Sequence, residues 1–367
     1  MHQHANGTRP ALNAYDTVVV GAGPAGVMAA LGSSRRGSVL LVDSVALPRD
    51  KSCGGMLHEL TQKHLAPFGV LPEGIMLEPR HVNFRYVDWD RGIRKATELR
   101  FVNVDRAGFD DWLVSLLPQS VEVIGLCPLV SFTSRTDGVT VTLRTSDGPV
   151  DVTCANLVGA DGARSSVRRA LGIGTASSYV TLQDYVHLEG AIEPFFDCIY
   201  MRGIGDEFGY AYVVPKSEVA IVGSVFYPKT KRPGDKQDQV LDVLRRSMPQ
   251  LGESLKREAC AALHLRTTAD TRPGYGRVLL AGEAGGFMSP TSGEGISYAI
   301  HSGLAAGEAI AASAPDDVLA AYSASVEGLT RDIRRRLRWL PFMESPTGKY
   351  LAGFVPTSIV SKVTMGL

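Results

Sequence analysis

Thr17-Val18-Val19-Val20-Gly21-Ala22-Gly23-Pro24-Ala25-Gly26 decides how this chain begins to fold. An uninterrupted β-branched run reads as a strand buried on both faces, as in a parallel sheet. A GxGxxG turn follows at once, and an amphipathic helical segment runs on to about Arg36. A second apolar run, Ser38 to Val42, stops at Asp43 and Ser44. Strand, glycine turn, helix, strand and acid make a βαβ unit. Gly21 permits the tight turn. Gly23 lacks the Cβ that would hold a pyrophosphate off the backbone, and Gly26 lets the helix pack closely on the strand. Pro24 and Ala25 open the helix, whose free N–H groups and partial positive charge suit phosphates. Asp43, roughly 20 residues beyond the first glycine, is placed to accept hydrogen bonds from a ribose. The unit reads as a dinucleotide site. A glycine turn that merely packs a helix would leave Asp43 unexplained.

Three further segments repeat its logic. Asn103-Val104-Asp105-Arg106 leads into Ala107-Gly108-Phe109-Asp110. Leu157-Val158-Gly159-Ala160-Asp161-Gly162 reads as a buried strand ending in a DG turn, with a helix start after it. Val278-Leu279-Leu280-Ala281-Gly282-Glu283 is a strand ending in glycine and an acid, and Pro290, Gly293, Glu294, Gly295 and Ile296 open a helix beyond it. Three strand ends thus offer glycine and a carboxylate to what reads as a single cleft.

In these motifs the chain resembles FAD-dependent oxidoreductases of the p-hydroxybenzoate hydroxylase fold, and within them the geranylgeranyl reductase family. The likeness covers roughly residues 15–312. It implies an α/β fold, with a Rossmann-like FAD-binding domain, a β-sheet substrate domain and a helical C-terminal tail. It also implies that Gly21, Gly23, Gly26 and Asp43 hold the AMP half of FAD, that Arg106 contacts the cofactor, and that Asp161-Gly162 lies near the pyrophosphate. Gly282 and Glu283 are implied at the ribityl chain. Glu283 stands where most relatives carry Asp, and its extra methylene moves the carboxylate outward by about 1.5 Å. A water bridge is then the alternative to direct contact. The helix opening near Gly293 and Gly295 would aim its N-terminus at the reduced flavin, with Ser292 as the rival reading of an ordinary cap.

Lys51-Ser52-Cys53-Gly54-Gly55 resembles the CGG segment of geranylgeranyl reductases, which implies that Cys53, Gly54 and Gly55 lie near the isoalloxazine. Cys53 is a candidate proton donor, against the plainer reading of a small buried hydrophobe. Gly209-Tyr210-Ala211-Tyr212-Val213-Val214-Pro215-Lys216 resembles the family's Tyr-x-Trp-x-aromatic-Pro strand. Tyr212 replaces the Trp and Val214 the aromatic. Alternation puts Tyr210, Tyr212 and Val214 on one face, as pocket lining or core. The Trp-x-Trp-x-Ile-Pro signature of flavin halogenases is absent, since the tryptophans are Trp89, Trp112 and Trp339.

Composition trims the alternatives. Lys and Arg number 38, as do Asp and Glu, so no overall basic footprint points to nucleic acid. The five cysteines include no CxxC pair, so no disulfide framework or zinc knuckle is expected. Reduced thiols and a polar start, MHQHANGTRPAL, lead us to expect a cytoplasmic protein with no metal, His2 and His4 belonging to a tail. No apolar run is long enough to span a bilayer. The basic run Arg331 to Arg338, followed by WLPF, offers peripheral membrane contact, against the plainer reading of a solvated helix face.

We expect a discontinuous FAD domain over 15–70, 98–174 and 270–312, with a β-meander over 121–153. A substrate domain is expected over 71–97 and 175–269, a helical region over 313–367 and a disordered tail over 1–14. The leading functional expectation is hydride reduction of a C=C bond in an apolar, isoprenoid-like or aromatic small molecule. Cys53 or Tyr210 would supply the proton, with Tyr212 beside them. NAD(P)H is the expected reductant, docking transiently because no second nucleotide motif is visible, or else an electron-donor protein serves. The alternatives are a monooxygenase working through a flavin hydroperoxide and a non-catalytic flavin-binding redox protein.

Overall fold

The structure, a computed structural model, describes residues 5–174, 177–205, 208–352 and 354–356. Its first sheet has a parallel core in the order Val121–Gly125, Val39–Val42, Ala14–Val20, Gly148–Gly159, Val278–Leu280. Val19, Leu41, Val158 and Leu279 face one layer of core, shared with helices Pro24–Ser33, Arg106–Ser115 and Ile296–Ala312. Val18, Leu40, Leu157 and Leu280 face a second layer, shared with the antiparallel ribbon Leu129–Ser134 and Val139–Thr145 and with helix Ser166–Ala170. Coverage on both faces is why these strands are apolar without alternation.

The helix Pro24–Ser33 is buried on nearly every side, rather than amphipathic. Its outer face is taken by Ile296–Ala312, which approaches so closely that a Cβ on Gly32 would sit 2.8 Å from Gly307 Cα.

The second sheet is mostly antiparallel and runs Leu251–His264, Ser177–Leu188, Val219–Phe226, Phe208–Lys216, Phe195–Tyr200, Met76–Asp88, Ile93–Val104, Met56–Leu57. One face is closed by helix Pro233–Ser247 through Val240, Leu241 and Leu244. The other carries an aromatic cluster that includes Tyr179, Tyr185, Phe196, Tyr210 and Tyr212 together with Met56. Helices Val318–Ser325, Glu327–Glu344 and Pro346–Ala352 complete the described chain.

Three expected boundaries move. The tail over 1–14 is wrong where it is described: Ala5–Asn6 pairs in parallel with Ile124 and Gly125, at an edge whose backbone groups would otherwise be unpaired. The Asn6 amide pins it, accepting from Leu47 N at 3.0 Å and donating to Leu47 O at 3.2 Å. His2 and His4 lie outside the described residues. Residues 98–104 belong to the second sheet, because Ile93–Val104 is one continuous strand that hairpins with Met76–Asp88. The stretch 121–125 is a parallel strand beside Val39–Val42, so only the strands after it form a meander.

Candidate functional site

The first glycine bend sits directly against the second. Gly21 has φ +106°, a left-handed value that favours glycine, and a Cβ there would lie 2.4 Å from Ala160 O and 2.9 Å from Asp161 Cα. Ala160 N donates to Val20 O at 2.8 Å, and Ala281 N donates to Gly159 O at 2.9 Å. The third bend closes the ring, since a Cβ on Gly282 would meet the Ala25 methyl at 2.9 Å. All three glycine-and-acid bends therefore meet at one end of the parallel sheet, where open α/β sheets bind ligands.

Asp43 is buried, and its Oδ2 accepts Ala22 N at 2.7 Å. This bond ties the acid to the glycine turn. Ser44 beside it is exposed. No side chain caps the helix start at Gly23, so its first N–H groups are left for a ligand.

Sequence reasoning missed Arg49. Its Nη1 lies 3.5 Å from Asp43 Oδ2 and 2.8 Å from where a Cβ on Gly23 would sit. Its Nε lies 3.5 Å from Asp110 Oδ2 and has no hydrogen-bond partner. Asp110 in turn takes a two-pronged ion pair from Arg106, at 2.7 and 3.2 Å. Charges thus alternate Asp43, Arg49, Asp110, Arg106 along the cleft. Asp110 was readable as the i+4 partner of Arg106, whereas Arg49 is in a loop that no spacing rule reaches.

Other expected contacts are already committed. The Asp161 carboxylate caps helix Ser166–Ala170, accepting Ser166 N at 2.7 Å, Val167 N at 3.2 Å and the hydroxyls of Ser165 and Ser166. Its side chain is thus a structural cap. Gly162, with φ +74°, has no described atom within 4 Å of its Cβ position. Glu283 reaches toward the second sheet, with Oε1 accepting Leu263 N at 3.3 Å and Oε2 at 3.5 Å from Lys51 Nζ.

Pro290 is buried in a turn closed by Gly293 N donating to Ser289 O at 3.0 Å, and Ile296 begins the helix after Gly295. Glu294, not Ser292, caps that helix, accepting Ser297 N at 2.8 Å and Ser297 Oγ at 2.6 Å. Burial raises the Glu294 carboxyl pKa against these bonds and the nearby Arg336.

The CGG loop lies on the seam between the sheets. Strand Ile93–Val104 ends there, and Asp105 starts the next helix by accepting Gly108 N at 2.7 Å. This places Arg106 beside Cys53. Burial pushes the Cys53 thiol up, but the Arg106 guanidinium, the Gly55 N–H 3.4 Å from Sγ, and Lys51 outweigh it, so the net pKa falls below the usual thiol value. Gly54 is open, with only Met56 near its Cβ position, at 3.9 Å. Gly55 has φ +60°, and a Cβ there would strike Val104 O at 2.3 Å and Lys216 Nζ at 2.7 Å.

Lys216 is buried, and its Nζ donates to Val104 O at 2.9 Å and to Gly55 O at 3.3 Å. Desolvation lowers its pKa to about 7, against the pull of Cys53 and Asp105. Tyr212 is buried with its hydroxyl taken by Gln183 Nε2, and Gln183 Oε1 accepts the Ser52 hydroxyl. Through Gln183, Tyr212 is thus bridged to the CGG loop, its hydroxyl oxygen accepting the amide N–H. Tyr210 reaches the other way, its hydroxyl 3.6 Å from where a Cβ on Gly293 would sit. Burial raises the phenol pKa of both tyrosines.

The C-terminal helices roof the aromatic face. Glu344 accepts the Tyr179 hydroxyl at 3.0 Å and pairs with His264 and Arg266, and Tyr86 donates its hydroxyl to Lys349 O at 3.3 Å.

Residues 14–335 match the model of a family described as an FAD binding domain. The chain belongs to that family. Its expected kinship with FAD-dependent oxidoreductases and its expected fold both stand. Among curated relatives it is similar to protein CbrA of Escherichia coli O157:H7, at 31% identity over 300 residues, 78% of this chain and 82% of the relative. Among solved structures it resembles a geranylgeranyl bacteriochlorophyll reductase-like protein of Thermoplasma acidophilum, with TM-score 0.81 and 19% identity, covering 96% of this chain and 93% of the other. It also resembles CmlS, a flavin-dependent halogenase, with TM-score 0.74 and 19% identity, covering 92% of this chain and 66% of that one.

The uncapped helix start at Gly23, with the Arg49 guanidinium beside it and its buried Nε lacking a hydrogen-bond partner, fits the phosphates of FAD. Among the described residues no cluster suits a metal ion, and no helix is long and apolar enough to cross a membrane.

Proposed function

We propose that this FAD-dependent oxidoreductase reduces a C=C bond in an apolar, isoprenoid-like or aromatic small molecule. The observation that carries the reading is Cys53, a thiol of lowered pKa held by Arg106 and the Gly55 N–H at the foot of an aromatic sheet face. Reduced FAD, when bound, supplies two electrons and one hydrogen.

The remaining hydrogen is a proton, and Cys53 Sγ–H delivers it to the second alkene carbon. Arg106 stabilises the thiolate left behind, itself held protonated by Asp110. Lys216 titrates near neutrality and anchors the carbonyl of Gly55, so it keeps the CGG loop in place as the thiol cycles. Tyr210 is a weaker proton source, because burial raises its pKa. Tyr210 and Met56 present apolar surface to the substrate, and the roof of Glu344 and Lys349 excludes water. NAD(P)H, docking transiently, or a protein donor supplies the reducing equivalents.

The test is strict anaerobiosis. Enzyme reduced with dithionite is mixed with a panel of isoprenoid and aromatic alkenes, and a saturated product is expected. Turnover that appears only with O₂, with labelled oxygen entering the product, would overturn the proposal in favour of monooxygenation. Bound FAD with no turnover in either gas would favour the non-catalytic redox reading.

A further inference from the structure

Helix Glu327–Glu344 buries Ile333, Arg336 and Leu340 on one side. Its opposite side carries Arg331, Arg334, Arg335 and Arg338, then Trp339 and Phe342, all exposed. Positions 331, 334, 335, 338 and 342 fall on one face at helical spacing. Arg335 pairs with Asp332 at 2.6 Å, while Arg331 is 3.9 Å from Glu327. Arg334 and Arg338 have no carboxylate partner among the described residues. The helix after it, Pro346–Ala352, exposes Tyr350 and Leu351, with Phe354 exposed beyond it and Arg91 stacked 4.3 Å from the Tyr350 ring centroid.

The chain has no net charge, so this positive face is a local concentration. An ordinary solvated helix face carries charge without large aromatics. Arginines beside exposed Trp and Phe instead match the layering of a bilayer surface, with guanidinium groups at the phosphates and rings just beneath.

We propose that this face docks the protein on an anionic lipid bilayer. The occupant is chosen by charge complementarity, because unpaired arginines seek phosphate and the neighbouring rings need an apolar layer. The segment that would touch the membrane is also the segment that roofs the aromatic sheet face, through Glu344 on Tyr179 and Lys349 O on Tyr86. A docked molecule therefore holds its candidate pocket against the bilayer. The inference is independent of the reductase reading, since binding is measured without turnover.

The full FAD-loaded chain is sedimented with vesicles of phosphatidylcholine, with or without phosphatidylglycerol. Binding is expected only with the anionic lipid and is expected to weaken as salt rises. Arg334→Glu with Arg338→Glu should weaken it at least about tenfold, given roughly 1 kcal/mol per basic residue near such a surface. Trp339→Ala with Phe342→Ala should weaken binding to the anionic vesicles at every salt concentration, because ring insertion is not screened. Brominated lipid should quench Trp339 fluorescence, a signal that a Trp339→Phe variant loses. All these side chains are exposed, so melting temperatures should hold. Equal recovery with neutral vesicles, or binding unchanged by the arginine reversals, would overturn the proposal. So would a concentration-dependent dimer broken by the same variants, which would give the face to a second copy of the chain.

Discussion

The two ends of the cleft are built from different materials. At the nucleotide end the work is done by backbone: glycines that admit close approach, an uncapped helix start and one carboxylate tied to the turn. At the pocket end it is done by long-range side-chain pairs. Lys216 meets Gly55, Gln183 joins Ser52 to Tyr212, and Arg106 meets Cys53. Backbone sites tolerate little change, because a Cβ has nowhere to go. Side-chain sites can lose a partner and still fold. The nucleotide end is therefore the rigid part of the cleft and the pocket end the part whose side chains can vary.

The sharpest way to break that contrast is Gly26→Val. A Cβ on Gly26 would lie 1.7 Å from Gly21 O, so the helix and first strand would be forced apart. We expect a loss of more than about 4 kcal/mol, read as failure to recover folded yellow protein. Recovery of FAD-loaded protein with an unchanged melting temperature would show that the turn is not rigid.

At the pocket end, Cys53→Ala should leave FAD content and melting temperature near those of the parent. Turnover should fall about 10²-fold or more, the usual worth of a placed proton donor. An unchanged rate would return the proton to Tyr210 or to water.

Arg49→Met probes the point where the two ends communicate. FAD affinity should fall about tenfold, roughly 1.4 kcal/mol, with a smaller dependence on salt than in the parent, measured by fluorescence titration. A loss confined to turnover would place Arg49 with the pocket instead.

Lys216→Met should show the smallest effect, as a change of slope. The folded pKa of Lys216 is lowered to about 7, below its unfolded value of 10.5. Between those values the unfolded chain binds more protons, so this group makes the parent gain stability as pH rises from about 7 toward 10. The variant should lack that gain, seen as a parent-minus-variant difference in melting temperature that rises across the range. Parallel curves would show that Lys216 titrates normally. Below about pH 7 the ammonium is charged in both states and its contribution to the slope vanishes.

Much of the nucleotide end is legible in the sequence. The strand, GxGxxG, helix, strand and acid are contiguous, and their spacing alone carries the geometry. The two later bends repeat the pattern, so their meeting was a fair inference. What each carboxylate does there was not legible. Asp161 reads as a group near a ligand, yet its carboxylate satisfies a helix start, as Glu294 does at another, and the choice depends on which N–H groups fall within reach.

The pocket end was legible only as motifs. Cys53 and Tyr212 stand in recognisable motifs, whereas Gln183 and Arg49 stand in none, and residues 98–104 pair in the second sheet rather than the expected FAD domain. By itself the sequence determined the parallel sheet, the glycine bends and the family, because short-range spacing encodes those. Tertiary structure alone decided which thiol has its pKa lowered, which partner each tyrosine meets and what roofs the pocket. Those outcomes rest on burial and on partners far apart in the chain, and neither leaves a periodic mark.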